Sequence, residues 1–268
     1  MKQLQGKRAL ITGSLRGIGF GIAEVFAREG AEIILHGLSD VDADIVQARK
    51  RIESLGSPRV EVLSHDLRDS LAIEAMMGVA LEGGPIDILV NNAGIQHTAP
   101  TVLMPTEKWN EIISINLSSA FHTMRLALPA MAERGYGRVI NIASVHGIVA
   151  SVAKAPYVAA KHGLIGLTKV VALEYANTGN RESGGVTINA ICPGWVETAL
   201  IEGQIQNRAE KFQGNREKGV EDLLSEKQPS KRLSNPTDIG ETALWLCQKT
   251  SHNVTGTSIP IDGGWTAQ

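Results

Sequence analysis

The chain has 268 residues, 43% hydrophobic and 20% charged, with a formal net charge of −2. This suits one large domain with a sizeable core, and there is no basic stripe for nucleic acid or an anionic membrane surface. The first residues show no secretory leader, no apolar run approaches a membrane span, and Cys192 and Cys247 lack metal-type spacing. A cytoplasmic protein with two buried free thiols is the expectation.

Residues 7–12 read as a short apolar strand. Gly13-Ser14-Leu15-Arg16-Gly17-Ile18-Gly19 follows at once, and a helical pattern with Ile18, Ile22, Val25 and Phe26 on one face ends near Gly30. Strand, glycine turn and helix in that order form a phosphate cradle, because backbone approaches pyrophosphate closely at a helix N-terminus. The same turn can also be purely structural. Residues 31–36 form a second strand. In a dinucleotide fold its end chooses the cofactor: an acid binds the ribose 2′-hydroxyl, an arginine accommodates a 2′-phosphate. Here His36-Gly37-Leu38-Ser39-Asp40 places no acid or base immediately after the strand. Asp40 comes late, and Arg16 could reach a 2′-phosphate, so these residues leave NAD and NADP both open.

A polar helix over 41–55 leads to a third strand, 59–63, followed by His65-Asp66-Leu67. Asp66 could bond an adenine amino group or simply shape a turn. A helix over 70–82 and the Gly83-Gly84-Pro85 turn precede a fourth, continuously apolar strand over 86–90, as in a parallel sheet covered on both faces. It ends in Asn91-Asn92-Ala93-Gly94. A helix starts at Thr106, with Asn116 as a polar residue on its apolar face, and another runs from Ala120 to about Arg134. Residues 137–142 form the fifth strand.

Ser144 stands at the end of that strand, and Lys154-Ala155-Pro156-Tyr157 opens the next helix, running to about Ala176. Tyr157 and Lys161 are four apart and share one helical face. A phenol titrates near 10, and an adjacent ammonium favours its phenolate. A serine donor beside such a phenol suits alcohol/ketone interconversion. Tyrosine and lysine at this spacing also occur on helix surfaces without any role. Residues 177–185 read as a polar surface loop and 186–191 as the sixth strand, ending in Cys192-Pro193-Gly194-Trp195. The segment 197–230 is long and polar, with two helical pieces and no strand, which marks a candidate lid. A last helix starts at Pro236, and residues 257–261 form the seventh strand. Strands alternate with helices throughout, so residues 1–268 read as one doubly wound α/β (Rossmann) domain with helices on both faces of a parallel sheet.

Thr12-Gly13-x3-Gly17-Ile18-Gly19, Asn91-Asn92-Ala93-Gly94, Ser144, Tyr157-x3-Lys161 and Pro193-Gly194 together resemble the short-chain dehydrogenase/reductases over nearly the whole chain. The resemblance implies a nicotinamide-dependent enzyme with a seven-stranded sheet, usually a homotetramer. It implies that Ser144 positions the substrate oxygen and Tyr157 is the acid/base. Lys161 would hold the nicotinamide ribose and lower the tyrosine pKa, and Asn116 would hold a water in a proton relay. The cofactor would lie against Gly13, Ser14, Arg16, Gly17, Ile18, Gly19, Asp66, Leu67, Asn92, Ala93, Gly94, Tyr157, Lys161, Pro193, Gly194 and Val196.

Within that family, residues 94–99, 143–147, 159–163, 191–196, 223–230 and 262–267 resemble the bacterial D-3-hydroxybutyrate dehydrogenases. This implies reversible oxidation of (R)-3-hydroxybutyrate to acetoacetate with NAD. Gln96, His146, Lys154 and Gln204 would bind the carboxylate, and Trp195 and Trp265 would enclose the methyl end. A cation with amide and imidazole donors is what a short carboxylate needs. Arg16 and the longer 177–185 loop depart from that group's pattern. The alternatives are an NADP-dependent reductase of another 3-oxo acid or ester, and a non-catalytic dinucleotide-binding regulator.

Overall fold

A computed structural model describes residues 2–38 and 41–268. The strands are β1 (Arg8–Ile11), β2 (Glu32–His36), β3 (Val60–Leu63), β4 (Ile88–Asn91), β5 (Tyr136–Ile142), β6 (Gly185–Pro193) and β7 (Ser258–Ile261). Between them run α1 (Gly17–Arg28), α2 (Asp42–Ser54), α3 (Ser70–Glu82), α4 (Thr106–Ile113), α5 (Ser119–Arg134), α6 (Ala155–Tyr175), α7 (Ala199–Ala209), α8 (Arg216–Lys227) and α9 (Pro236–Cys247). Among the described residues, the seven strands form one parallel sheet in the order β3-β2-β1-β4-β5-β6-β7. Asp40 lies outside the described residues.

Successive strand side chains point to opposite faces, so each strand feeds two cores. Leu10, Ile34, Leu89, Val139 and Ile188 pack with residues of α3, α5 and α6. Their sequence neighbours Ala9, Ile11, Ile33, Ile88, Val90 and Ile140 pack with α1, α2 and α9. Apolar burial on both faces is why these strands lack a polar alternation. The strand order reverses between β1 and β4, and in such sheets the ligand crevice opens beyond the strands' carboxyl ends at that point. The glycine turn, Asn92–Gly94, Ser144 and Pro193–Trp195 all lie along that edge.

A hydrogen-bonded ladder crosses the α3/α5/α6 core just below the edge. Thr123 Oγ1 donates to Asn91 Oδ1 at 2.6 Å, Asn91 Nδ2 to Asn141 Oδ1 at 2.9 Å, and Asn141 Nδ2 to Thr168 Oγ1 at 2.9 Å. All four residues are buried, and the ladder clamps α5 and α6 to the ends of β4 and β5. The helix of α4 and α5 is continuous except for a π-turn at Ser114–Ser118, centred on Asn116. Residues 177–184 are tied down: Asn180 Oδ1 accepts the Glu182 and Ser183 amides, and Arg138 donates to the Gly184 and Gly185 carbonyls. The 197–230 segment folds as the expected helical pieces, α7 and α8. Their Ile201, Ile205, Leu223 and Leu224 pack with Val145, Trp195 and Trp265 over the carboxyl edge. No helix among the described residues is long and apolar enough to cross a membrane.

Candidate active site

The glycine turn is pressed against the exit of β4. Gly13 has φ +63°, and a Cβ there would fall 2.8 Å from Ala93 Cα. A Cβ at Gly19 would fall 2.4 Å from Asn92 Nδ2, which donates to the Thr12 and Gly13 carbonyls, each at 2.9 Å. Thr12 Oγ1 in turn accepts the Asn92 and Ala93 amides at 3.0 and 3.1 Å. His36 supports the turn from below: its Nε2 donates to the His65 carbonyl at 2.9 Å, which leaves Nδ1 as the acceptor for the Gly13 amide at 3.3 Å. Burial lowers the His36 pKa, so the ring stays neutral. The N-terminus of α1 has no side-chain cap and no acid in its first turn. Its free amides and the close backbone fit a dinucleotide pyrophosphate.

Two of the expected cofactor contacts, Ser14 and Asp66, are engaged by other groups of the chain. Ser14 is turned inward: its hydroxyl donates to Ile11 O at 2.7 Å and accepts the His36 amide at 3.0 Å, and its own amide donates to His36 O. Asp66 is held by Arg68, whose backbone amide and Nε donate to it at 2.9–3.0 Å and whose guanidinium keeps its pKa low. An adenine would have to compete with that pair. Arg16 is exposed at the head of α1 and, with Leu38, Asp44, Gln47 and Arg51, lines a cleft of about 480 Å³ beside the end of β2. Leu67 is buried, whereas Ile18, Pro193, Gly194 and Val196 line a second cavity at the carboxyl edge of the sheet.

That cavity is small, about 60 Å³, and it brings together Ser144, Tyr157, His146, Lys154, Gln96, Trp195 and Trp265. Tyr157 sits one residue past Pro156, which occupies the first turn of α6 as expected. Lys161, one turn on, donates to Ile142 O at 2.7 Å, and its Nζ is 5.7 Å from the Tyr157 ring centroid. A Cβ on Gly94 would lie 3.7 Å from both Lys161 Nζ and Asn116 Oδ1, so these residues meet at the end of β4. Asn116 is pinned there by paired bonds to the backbone of Ile95, at 3.0 and 2.9 Å. Its side-chain amide is committed to that pair, and the π-turn is what brings it into reach.

The sequence predicts that Lys161 lowers the Tyr157 pKa, but burial raises it, and the opposing influence is a hydrogen bond from Ser144. The phenolate is desolvated in this cavity, and the ammonium is turned toward the Ile142 carbonyl. Burial also brings Lys161 down to about 8. Cys192 is held up at about 11, chiefly by burial.

At the other end of the cavity, Lys154 Nζ donates to Gln204 Oε1 of α7 at 3.4 Å and lies 5.4 Å from the Trp195 ring centroid. Burial, and then the charge of Lys227, lower the Lys154 pKa to about 8. Gln204 Nε2 and Trp195 Nε1 are buried donors with no protein partner. Such groups cost roughly 1–3 kcal/mol each unless something accepts from them. Gln96 lines the same cavity but donates to Leu200 O at 3.1 Å, bridging to α7. The tryptophan rings are 5.6 Å apart, and Trp265 meets His146 edge-on at 5.5 Å. Gln228 holds this cage by accepting the Trp195 amide at 3.1 Å. Sequence reasoning did not single out Gln228, Ser151 or Lys227, although Lys227 and Gln228 lie in the matched 223–230 stretch.

A hydride-transfer enzyme needs a dinucleotide cradle facing a proton-exchanging group beside a substrate oxygen, and the carboxyl edge of this sheet provides both. Residues 13–266 match the family described as Enoyl-(Acyl carrier protein) reductase. The chain is 49% identical over 99% of its length to all of the D-beta-hydroxybutyrate dehydrogenase of Cupriavidus necator. It is 44% identical to that of Rhizobium meliloti, covering 98% of this chain and 99% of the relative. Among solved structures, an actinorhodin polyketide ketoreductase with NADPH superposes with a TM-score of 0.89 at 31% identity, with both chains fully covered. The chain belongs to the short-chain dehydrogenase/reductase family, whose members are oxidoreductases that use nicotinamide dinucleotides.

Proposed function

We propose that the protein interconverts (R)-3-hydroxybutyrate and acetoacetate, with NAD as cofactor. One observation carries the reading. A buried ammonium, Lys154, and a partnerless buried donor, Trp195 Nε1, belong to residues that line a small cavity with Ser144 and Tyr157, and a second such donor, Gln204 Nε2, belongs to the residue whose Oε1 accepts from Lys154. Those donors suit a carboxylate a short distance from the reacting oxygen. The names of the two bacterial relatives support the same substrate.

On this reading the backbone of Gly13–Gly19 and the head of α1 hold the cofactor's pyrophosphate, and Lys161 faces its ribose. The nicotinamide, when bound, accepts or returns the hydride. Ser144 and Tyr157 both address the substrate's C3 oxygen. In reduction the neutral phenol donates its proton there, and Ser144 supports the developing charge. In oxidation Tyr157 takes the hydroxyl proton back. A water held at Asn116 would extend the proton path beyond Lys161, with the Asn116 side chain itself already bonded to Ile95. The tryptophan pair limits the length of the chain beyond C3. The α7–α8 segment acts as a lid, carrying Gln204 onto the carboxylate. Initial rates with the (R) and (S) acids, each with NAD and with NADP, test the reading. A fast (R)-selective rate with NAD supports it. No rate on this acid, with turnover of longer 3-oxo substrates, refutes it.

A second cofactor reading rests on Arg16 and Arg51, which flank the cleft beside the end of β2, where a 2′-phosphate would lie. Arg51 is already paired with Glu24 at 2.7 Å, which favours NAD. The reading extends to a homotetramer, supported by apolar side chains left exposed on the helices: Phe121 of α5, Leu173 of α6 and Trp245 of α9. Light scattering on the purified protein tests this.

A further inference from the structure

Ser151 lies on the turn after β5, and Lys227 is the last residue of α8, 76 positions away in sequence. Lys227 Nζ is 2.9 Å from Ser151 Oγ, and the same oxygen is 2.8 Å from His146 Nε2. His146 Nδ1 is 3.4 Å from Ser144 Oγ, which also accepts the His146 backbone amide at 3.1 Å. Four groups thus form a line from the end of α8 to the serine that faces the substrate oxygen.

The charged end of this line favours one set of proton positions along it. An ammonium has donors only, so Ser151 Oγ accepts from Lys227. The one hydroxyl proton of Ser151 is then free for its other neighbour, His146 Nε2. The imidazole is neutral, because burial and the charges of Lys154 and Lys227 bring its pKa down to about 3. A neutral ring has one donor and one acceptor nitrogen, and the bond at one fixes the other. With Nε2 accepting, Nδ1 carries the hydrogen and points it at Ser144 Oγ, so in this arrangement His146 has no donor left for a carboxylate, unlike the role the resemblance implied. Ser144 then receives two donors, and its own proton is directed to Tyr157 and the cavity. Ser151 keeps a second lone pair, so the ammonium favours this arrangement by filling one acceptor site and leaving the hydroxyl proton for Nε2; without the ammonium, an Nε2–H donating to Ser151 becomes the competing arrangement. Nδ1 would then accept, and it would draw the Ser144 proton away from the reacting oxygen.

We propose that Lys227 and Ser151 are positioning residues that fix the tautomer of His146 and, through it, the donor direction of the Ser144 hydroxyl. This rests on the reading that Ser144 donates to the substrate oxygen. It also means that α8 completes the site: moving Lys227 away from Ser151 releases the orientation. The Trp265 ring, 5.6 Å from Lys227 Nζ, helps hold the ammonium in place.

The test reads the tautomer directly. Histidine-labelled protein gives imidazole nitrogen shifts, with His146 identified by the signals lost in His146→Asn. Nδ1–H in the native protein, moving toward Nε2–H in Lys227→Met and Ser151→Ala, supports the proposal. Nε2–H in the native protein, or a tautomer unchanged in both variants, overturns it. This readout needs no substrate, so it decides the proposal even if (R)-3-hydroxybutyrate is not turned over, which would defeat only the functional reading. Kinetically, Lys227→Met should lower kcat roughly ten- to hundredfold with a much smaller change in KM, as for a misdirected transition-state donor. Lys227→Arg should restore most of the rate. An unchanged kcat in Lys227→Met, or a loss seen only in KM, would also overturn it.

Discussion

Lys154 offers the sharpest test of the substrate reading. A hydrogen bond to a charged partner contributes about 1.5–3 kcal/mol. Removing the ammonium in Lys154→Met should therefore lower kcat/KM for (R)-3-hydroxybutyrate roughly 10- to 150-fold. The assay is a ratio: kcat/KM for the acid over kcat/KM for an uncharged secondary alcohol of similar length. The ratio removes any change in the proton chemistry of Tyr157, which both substrates share. It should collapse in the variant and recover in part in Lys154→Arg. The same ratio carries a pH signature. The Lys154 pKa is brought down to about 8 by burial and then by Lys227. Above that pH the free enzyme loses its cation, so the ratio should fall toward tenfold per pH unit, and kcat/KM reports the free enzyme. Lys154→Met should abolish this dependence. An equal loss for acid and alcohol would show that Lys154 acts only through structure, and no loss for either would remove it from the site.

Tyr157→Phe should abolish turnover while cofactor binding, read by quenching of tryptophan fluorescence, persists; near-normal turnover refutes the proton role. Because burial raises the Tyr157 pKa, the phenolate is scarce at neutral pH, so kcat for oxidation should climb through the alkaline range while reduction declines; a flat oxidation profile would contradict this. Thr168→Val strands the buried Asn141 amide, at a cost of about 1–3 kcal/mol. Thermal unfolding should drop by roughly 2–10 °C, and an unchanged Tm would show that the ladder does not matter to stability. Ala153, just before Lys154, is held at φ +61°, a left-handed conformation costing about 1–2 kcal/mol for a residue with a Cβ. Ala153→Gly should raise stability by up to about 1 kcal/mol once glycine's extra chain entropy is deducted; a lower Tm would refute the strain.

The central strands were legible in the sequence because parallel strands buried on both faces are apolar runs, and the half-buried edge strands β3 and β7 because turn residues bound them. The glycine turn and the Tyr157/Lys161 pair were legible because helical and turn spacing fix their relative positions. What escaped reading depends on side chains that meet across elements. Ser14 looks like its neighbours in the turn, and only the approach of β2 shows its hydroxyl to be spent on Ile11 and His36. Asp66 looked available to an adenine until Arg68 folded back onto it. Thr123, Asn91, Asn141 and Thr168 come from two helices and two strands, so no periodicity joins them. Asn116 was visible as a polar residue on an apolar face, but the extra residue in its turn was not, since a π-turn has no local signature of composition.

The Tyr157 correction and the Lys154 pKa have one cause. Both groups face a cavity with little water to solvate charge, so burial pushes each toward its neutral form. Among the described residues lining that cavity, none is acidic, while Lys154 stands on its wall and Lys227 and Lys161 stand close behind. The site lacks one negative charge to balance its cations. On the proposed reading a substrate carboxylate supplies it, and by linkage raises the Lys154 pKa on binding, so that above pH 8 binding takes up a proton. The phenol gains nothing comparable from the same anion, which repels a phenolate and keeps Tyr157 protonated. On that reading the charge that anchors the substrate also keeps Tyr157 in the form that donates to a ketone. On the proposed reading, acetoacetate reduction is the direction for which the resting site is protonated at neutral pH.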